Sequence, residues 1–262
     1  MGILNVTPDS FSDGGRFDVL EAALDQASRM VDEGAAIIDV GGESTRPGAE
    51  PVGEDEEQRR VLPVIERLAA MNRALISIDT YHARTARLAV QAGAHIVNDI
   101  WGLQHDPAIA EVAAETGAGL ITMHNGRDRQ KLPDYVQDQF FFLGRSVEIA
   151  RRAGVRDACI MLDPGFGFGT DVPQEDIELM ARFEELHALG FPLMVGTSRK
   201  RFVGAVTGRA VGERAAGTAA TSVILRLKGA HLFRVHDVAI NVDALAMADA
   251  MLAWNAGRRD AQ

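Results

Sequence analysis

The sequence predicts a (β/α)8 barrel, which we assign as one domain over residues 1–262. Three observations predict this fold. Eight short runs of β-branched and aliphatic residues recur at regular intervals, amphipathic stretches with helical spacing separate them, and no linker or second compositional block interrupts the pattern. Apolar strands that alternate with helices indicate a parallel sheet covered on both faces. Eight such units in about 250 residues favour a closed barrel over an open doubly wound sheet, and no G-x-G-x-x-G motif follows the first run.

The eight predicted strands share the apolar composition of buried parallel strands. They cover residues 2–6, 36–40, 75–79, 95–99, 119–123, 159–163, 192–196 and 231–235. The stretches 18–34 and 82–94 show the three- and four-residue apolar spacing of helices. Glycine, which often ends a helix, is expected to do so just before the next strand at six places. These are Gly34, Gly93, Gly117, Gly154, Gly190 and Gly229.

The charge balance is acidic, with 37 Asp and Glu against 27 Lys and Arg and a net charge of −10. This balance argues against a general surface for nucleic acid or anionic membranes. Any anion must therefore bind at a local cluster, and the segment "VGTSRKRFVG" (195–204) supplies one with Arg199, Lys200 and Arg201.

Cysteine usage points to a reducing compartment. Cys159 is the only cysteine, which excludes an intrachain disulfide, and we expect a cytosolic protein in which this residue is an inert strand residue. No apolar run approaches the roughly 18 residues of a membrane span, and the first residues lack a signal-peptide pattern. The chain opens directly on a strand, which suggests that a segment precedes Met1 in the full protein.

Polar residues stand at the carboxyl ends of the predicted strands, where a barrel places its active site. A single one is commonly a helix cap, but eight sets on one rim indicate a site. They are Asn5, Asp39, Asp79, Asn98, His124, Asp163, Ser198 with Lys200, and Arg234 with His236.

Seven motifs are spread over nearly the whole chain, and the two longest are specific signals. In chain order they are "MGILNVTPDSFSDGG", "DVGGESTRPGA", "SIDT", "NDIWG", "DPGFGFG", "GTSRKRFVG" and "RVHDV". In kind and order they resemble the motifs of the dihydropteroate synthase family. The resemblance implies a TIM-barrel transferase of folate biosynthesis, a sulfonamide target that uses Mg²⁺ and forms a homodimer. It would join 4-aminobenzoate to 6-hydroxymethyl-7,8-dihydropterin diphosphate and release diphosphate.

That reaction needs a subsite for the pterin ring. A buried carboxylate suits the amino-pyrimidine edge, and Asp163 is the best candidate. Asp79, Asn98 and Lys200 can complete the contacts, and the resemblance assigns all four as pterin ligands. Met123 and Phe168 are candidates for the walls of the ring site, although core packing is an open alternative for both.

A second subsite must hold the diphosphate, which TIM barrels often bind after strands seven and eight. Lys200, Arg234 and His236, with Val235 between the last two, fall there. Arg199 and Arg201 are expected to point elsewhere. Magnesium takes few protein ligands and several phosphate oxygens or waters, and the resemblance assigns Asn5 as its protein ligand.

The third subsite must admit 4-aminobenzoate. Two long Gly/Ser/Pro-rich loops begin at the rim, and ordinary mobile surface is the alternative reading of such composition. The resemblance places Thr45, Arg46 and Pro47 over the aminobenzoate, and Ser198 lies within reach of its carboxylate.

No residue has the setting of an activated nucleophile. The amine of the substrate is itself the nucleophile, so catalysis would depend on positioning and electrostatics. Asp79 would stabilise a cation-like methylene carbon, while Lys200, Arg234 and His236 would offset the charge of the leaving diphosphate.

Two other functions compete with this prediction, and the sequence differs from the family motif at one position. A methyltetrahydrofolate-binding domain of corrinoid-dependent methyltransferases would share Asn and Asp at strand ends, but it needs no "TSRKR" and "RVHD" anion site. A non-catalytic pterin-binding barrel is the second rival, and the complete rim argues against it. The departure is Thr170, which stands where the family usually has lysine after "DPGFGFG".

Overall fold

The computed structural model describes residues 1–7, 16–43, 52–170 and 172–259. All eight predicted strands are present in it. They are β1 (Gly2–Asn5), β2 (Ile37–Gly41), β3 (Leu75–Asp79), β4 (Ile96–Asp99), β5 (Gly119–Met123), β6 (Ile160–Asp163), β7 (Met194–Val195) and β8 (Leu232–Phe233).

The strands close into a barrel. The first six pair in parallel in chain order, and β7 pairs in parallel with β8. Parallel bridges from Gly2 to Val235 and from Leu162 to Leu193 join the two sheets at both seams. A hydrogen bond of 3.0 Å from the Ile3 N–H to the Val235 carbonyl fastens the first seam. The predicted (β/α)8 barrel is confirmed.

Helices cover the outside of this barrel. In chain order they are α1 (Arg16–Asp32), α2 (Glu54–Met71), α3 (Ala83–Gln91), α4 (Ala108–Thr116), α5 (Tyr135–Arg152), α6 (Pro173–Ala181), α7 (Arg201–Thr207), α8 (Ala215–Leu227) and α9 (Val238–Arg259). Two helices, α7 and α8, follow β7. Gly208 ends the first of them with a positive φ of 70°, and α8 begins seven residues later.

The six glycines predicted at helix ends all have positive φ, between 72° and 113°. At Gly229 a side chain is excluded twice, because φ is +91° and a Cβ atom would lie 2.6 Å from Nε2 of His187. Glycine is therefore required at that helix end for steric as well as conformational reasons.

Alternation along the strands divides their side chains between two cores. Ile38, Ile76 and Leu120 belong to the large core between sheet and helices. Ile37 and Ile121, one residue out of step with them, belong to a smaller cluster with Met1 and Met194. Since successive strand residues face opposite sides, this smaller cluster fills the barrel interior. Among the described residues, no helix is long and apolar enough to cross a membrane.

Candidate functional site

The two-residue period of the strands carries polar residues to the top of the barrel interior. Two positions beyond the inward-facing Ile37 comes Asp39, and two beyond Ile121 comes Met123. The same step along β4 and β6 leads from Ile96 to Asn98 and from Met161 to Asp163. The apolar cluster is thus the floor of the barrel interior, and the polar residues form the layer above it.

A pocket lies in this layer, with about 340 Å³ of space that opens to solvent. Six of the predicted site residues line it, namely Asn98, Met123, Asp163, Phe168, Lys200 and Arg234. Sequence reasoning missed four others, Ile100, Gly165, Phe166 and Gly196. Ile100 directly follows the "ND" of β4 and packs with Met123 and Phe168 in one apolar cluster, so a search for apolar residues just past the strand ends would have found it.

Asp163, the last residue of β6, places a buried carboxylate in the pocket. Its Oδ1 accepts a hydrogen bond of 2.8 Å from the Gly165 N–H. Burial raises the pKa of Asp163 to about 6, although the Gly165 N–H and the positive charges of Lys200 and Arg234 act in the opposite direction. Gly165 has a φ of +68°, and a Cβ there would lie 2.1 Å from the His124 carbonyl oxygen, which only glycine avoids.

Arg234 bridges two aspartates. Its Nε donates to Oδ2 of Asp39 and its Nη2 to Oδ2 of Asp79, each at 2.6 Å. Burial alone would lower the pKa of Arg234, but the two carboxylates outweigh it and raise that pKa. Burial raises the pKa of Asp79 to about 7, despite the opposing charge of Arg234. The cation predicted to bind diphosphate is therefore largely neutralised by carboxylates within the protein.

Asn98 contributes an acceptor to the pocket. Its Nδ2 donates to Oδ2 of Asp39 at 3.3 Å. Its Oδ1 is buried and has no hydrogen-bond partner among the described residues. A buried amide oxygen without a partner is costly, so this atom is suited to a donor on a bound molecule.

Lys200 and Phe168 also line the pocket. The Lys200 Nζ lies 4.0 Å from the centroid of the Phe168 ring, within the range of a cation–π contact. Burial lowers the pKa of Lys200 to about 8, partly offset by Asp163, so the ammonium remains charged at neutral pH. Arg127, which sequence reasoning missed, places its Cζ 4.5 Å from the same ring. Nothing in its loop composition marks it, because only the fold brings the β5–α5 connection against Phe168.

Ser198 and His236 bind one another at the edge of the site. The Ser198 Oγ lies 2.9 Å from Nδ1 of His236 and also accepts from the His236 N–H at 3.1 Å. Burial lowers the pKa of His236 to about 4, and the charges of Arg199 and Arg234 add to the effect. His236 is therefore neutral in the free protein at neutral pH.

The two arginines beside Lys200 point away from the pocket, as predicted. Arg199 pairs with the Asp237 carboxylate at 2.6 Å, and Arg201 donates to the Thr170 carbonyl at 3.0 Å. Thr170, where the family usually has lysine, binds through its Oγ1 to Asp176 at 3.1 Å.

Two residues of the predicted rim or site face the helices. His124 follows the inward-facing Met123 by one residue, so its ring turns outward and lies 2.7 Å from the buried Asp138 carboxylate of α5. Val235 is one residue beyond Arg234, and its side chain lies in the core between sheet and helices. Among the other predicted site residues, Asn5 is half-buried at the end of β1, and Thr45, Arg46 and Pro47 lie outside the described residues.

Comparison with known proteins agrees with this geometry. A family model described as pterin binding enzyme matches residues 1–236. A dihydropteroate synthase of Bacillus subtilis is 51% identical over 252 residues, which are 96% of this chain and 88% of that protein. A crystal structure of the Clostridium difficile dihydropteroate synthase in the presence of pteroic acid matches with a TM-score of 0.93 and 47% identity, covering 96% of this chain and 95% of that one. The Xanthomonas albilineans dihydropteroate synthase with 4-aminobenzoic acid gives a TM-score of 0.91 at 43% identity, covering 97% and 92% respectively. With the relatives covered over almost their whole length, this chain belongs to the pterin binding enzymes and, within them, to the dihydropteroate synthase family.

Proposed function

We propose that the chain condenses 6-hydroxymethyl-7,8-dihydropterin diphosphate with 4-aminobenzoate to give 7,8-dihydropteroate and diphosphate. The observation that carries this proposal is the buried Asp163 carboxylate in a pocket that Lys200 also lines. A carboxylate in that position suits a planar ring edge with two adjacent N–H donors, since both of its oxygens can accept.

The other pocket residues fit a pterin ring in detail. The unpartnered Oδ1 of Asn98 can accept from a further ring N–H, and the Lys200 ammonium can donate to a ring carbonyl or nitrogen. Ile100, Met123 and Phe168 supply an apolar wall for the ring faces. Apolar walls with a few directed polar groups are typical of small-molecule sites.

The diphosphate would lie beside the pterin, toward Lys200, Arg234 and His236. Lys200 supplies most of the positive charge there, because two aspartates share the charge of Arg234 and His236 is neutral in the free protein. An arriving anion favours the charged form of His236 and so raises its pKa.

The residues at the end of β1 fit a magnesium ion bound mainly through the substrate. A Cβ atom at Gly41 would lie 3.8 Å from Oδ1 of Asn5 and 3.7 Å from Oδ2 of Asp79, so the missing side chain leaves a space flanked by two oxygens. No cluster of three His, Cys, Asp or Glu that could hold a metal occurs among the described residues. A site with so few protein oxygens suits Mg²⁺, because this ion keeps waters and phosphate oxygens as ligands. Asn5 would hold the ion. When bound, the ion offsets charge on the leaving diphosphate.

The proposed reaction requires no covalent bond between the substrate and the protein. The amine nitrogen of 4-aminobenzoate forms a bond to the pterin methylene carbon, the C–O bond to diphosphate breaks with its electron pair on oxygen, and the amine releases a proton. The Asp79 carboxylate would stabilise positive charge that develops on the pterin, while Lys200 and Arg234 hold the diphosphate. Ser198, whose Oγ lies 2.9 Å from Nδ1 of His236, would bind the aminobenzoate carboxylate, and the family resemblance assigns Thr45, Arg46 and Pro47 to the same subsite.

A homodimer is part of the proposal. Four apolar side chains, Ile240, Met247, Met251 and Trp254, are spaced along α9 at helical intervals and are exposed, Met247 by 73% and Trp254 by 70%. Ile224 and Leu227 add exposed apolar area on the neighbouring α8. Surface of this kind commonly marks an interface, and the resemblance implies that a second copy covers it.

The single cysteine supports a reducing, cytosolic location.

A coupled assay for diphosphate release tests the function directly. Dihydropterin diphosphate, 4-aminobenzoate and Mg²⁺ together should give diphosphate and dihydropteroate in equal amounts, and omission of 4-aminobenzoate should abolish release. Pterin binding without any turnover would favour the non-catalytic barrel. Methyl transfer from methyltetrahydrofolate to a corrinoid would favour the other rival.

A further inference from the structure

One buried oxygen atom, Oδ2 of Asp39, binds two residues that line the pocket. It accepts from Nε of Arg234 at 2.6 Å and from Nδ2 of Asn98 at 3.3 Å. Asp39 itself is fully buried in the middle of β2 and does not line the pocket. Asp39 thus contacts two side chains that line the pocket, whereas Asp163 lines the pocket itself.

We propose that Asp39 is a positioning residue of the pterin subsite, which acts through Arg234 and Asn98 without touching the substrate. The inference rests on the proposed function only in taking the ligand to be a pterin. The Asp39 carboxylate would determine which atoms of Asn98 and Arg234 face the pocket.

The contact with Asn98 decides the orientation of an amide. An amide group has a donor end and an acceptor end of nearly equal shape, and the hydrogen-bond partner selects between the two orientations. The Asp39 carboxylate is an acceptor only, so it binds the NH₂ end of Asn98 and turns Oδ1 away. That oxygen is then the buried acceptor without a partner among the described residues. If the amide rotated, an NH₂ group would face the ring donors of a pterin.

The contact with Arg234 holds a long side chain in one rotamer. An unrestrained arginine loses much of its rotamer entropy when it binds a ligand. Here Asp39 holds Nε and Asp79 holds Nη2, and Nη1 makes no hydrogen bond to a described residue. Two of the three nitrogens are therefore committed before a ligand arrives, and the third is left for an anion in a fixed place.

The substitution Asp39→Asn should separate this role from a general contribution to folding. The change keeps the volume of the side chain, but it removes the charge and offers an NH₂ group that competes for orientation with Asn98. We expect the affinity for a pterin without a diphosphate, measured by calorimetry, to fall roughly 10- to 100-fold. In steady-state kinetics the KM for dihydropterin diphosphate should rise and kcat should fall, whereas the KM for 4-aminobenzoate should stay within about twofold.

Ser77→Ala is the matched control. Ser77 pairs in register with Asp39 on the adjacent strand and is fully buried, but its Oγ has no partner among the described residues. Removal of this hydroxyl alters the same layer of the barrel without touching Arg234 or Asn98. Pterin affinity and both KM values should remain at the level of the unaltered protein.

A double-mutant cycle with Asn98→Ala adds a readout that a purely structural role would not move. If Asp39 acts partly through Asn98, its substitution should cost several-fold less pterin affinity when Asn98 is already alanine, since coupled sites are not additive. Equal losses in both backgrounds, or a pterin affinity of Asp39→Asn within twofold of the parent, would overturn the proposal.

A measurement on the unaltered protein decides the case if Asp39→Asn does not fold. The Arg234 Nε–H should give a downfield proton resonance protected from exchange, because it donates to a buried carboxylate at 2.6 Å. Rapid exchange of that proton would contradict the proposal. The diphosphate-release assay on the parent judges the proposed function separately, so the two can fail independently.

Discussion

Arg234 and Asp79, 155 residues apart in the chain, are joined by a hydrogen bond of 2.6 Å between Nη2 and Oδ2. The bond spans the barrel interior from the residue after β8 to the last residue of β3. The Arg234 guanidinium, near the anion subsite, is therefore already bound to the Asp79 carboxylate, which the reaction also needs. The free site is therefore less cationic than its composition indicates, and most of its positive charge comes from Lys200.

Removal of individual cations should reveal an oriented cluster. Lys200→Ala and Arg234→Ala should weaken the binding of Mg²⁺-diphosphate far more than Arg201→Ala, because Arg201 points to the Thr170 carbonyl. Arg234→Ala should also lower the melting temperature, since it leaves Asp39 and Asp79 as unpaired buried carboxylates. Calorimetry and thermal unfolding measure both effects. Equal losses of affinity in all three variants would indicate a general basic patch instead.

Asp163→Asn should impair pterin binding. The amide would place an NH₂ donor against ring donors and would remove a charge-assisted pair, at a cost of about 2–5 kcal/mol. Calorimetric titration with a pterin measures this cost. A near-normal affinity would contradict the assignment of Asp163 to the amino-pyrimidine edge.

His236 should titrate far below an ordinary histidine in the free protein. Burial and the neighbouring cations lower its pKa to about 4, whereas an unfolded histidine titrates near 6.5. Because the folded pKa is the lower one, the contribution of His236 to stability is complete above pH 6.5 and is lost as the pH falls toward 4. NMR of the imidazole protons, assigned with His236→Gln, checks the midpoint.

Bound diphosphate should move the same midpoint upward, since an anion favours the imidazolium form. A midpoint near 6.5 in the free protein would show that the ring is solvated, and a midpoint unchanged by diphosphate would place the anion elsewhere. His236→Gln should also lose less stability than the parent between pH 6.5 and pH 5.

4-Aminobenzoate should bind weakly alone and well only with Mg²⁺-diphosphate or the pterin diphosphate present. The stretches "TPDSFSDGGR" and "GGESTRPGAEP", most of which lie outside the described residues, are rich in Gly, Ser and Pro. To order a segment of such composition costs conformational entropy that a small acid could hardly offset. A prior anion near Asn5 would bear that cost, with a coupling of about 1–3 kcal/mol, or roughly 5- to 150-fold in affinity. Calorimetric titration with and without Mg²⁺-diphosphate measures the coupling. Equal affinities would mean that the third subsite is preformed.

The exposed apolar residues Ile240, Met247, Met251 and Trp254, which form a stripe along α9, should control the oligomeric state. Met247→Glu and Trp254→Glu should convert a dimer to a monomer in sedimentation experiments, because each places a charge on an apolar surface that a partner would bury. Phe141→Glu is the control, since Phe141 is 62% exposed on α5, which does not belong to the stripe. A parent protein that sediments as a monomer would contradict the homodimer.

The positions of Asp79, Asn98 and Asp163 followed from the sequence alone, because strand identity and a period of two decide which residues of a strand share a face. The same period places His124 and Val235 on the outer face. The sequence prediction placed His124 in the rim and Val235 in the site because both lie near a strand end. It did not take into account to which face of the strand each side chain points. Local pattern thus determined the barrel, its rim and most of the pocket.

Tertiary structure alone decided how those groups affect each other. Arg234 meets Asp39 across 195 residues only because β8 closes onto β1, and no local pattern encodes that contact. The lowered pKa of His236 and the position of Arg127 over Phe168 have the same origin, since burial and proximity depend on which segments pack together. The sequence determines which residues face the barrel interior, and the closure of the barrel decides which charges meet there, because Coulomb and desolvation energies depend on distance in space and not along the chain.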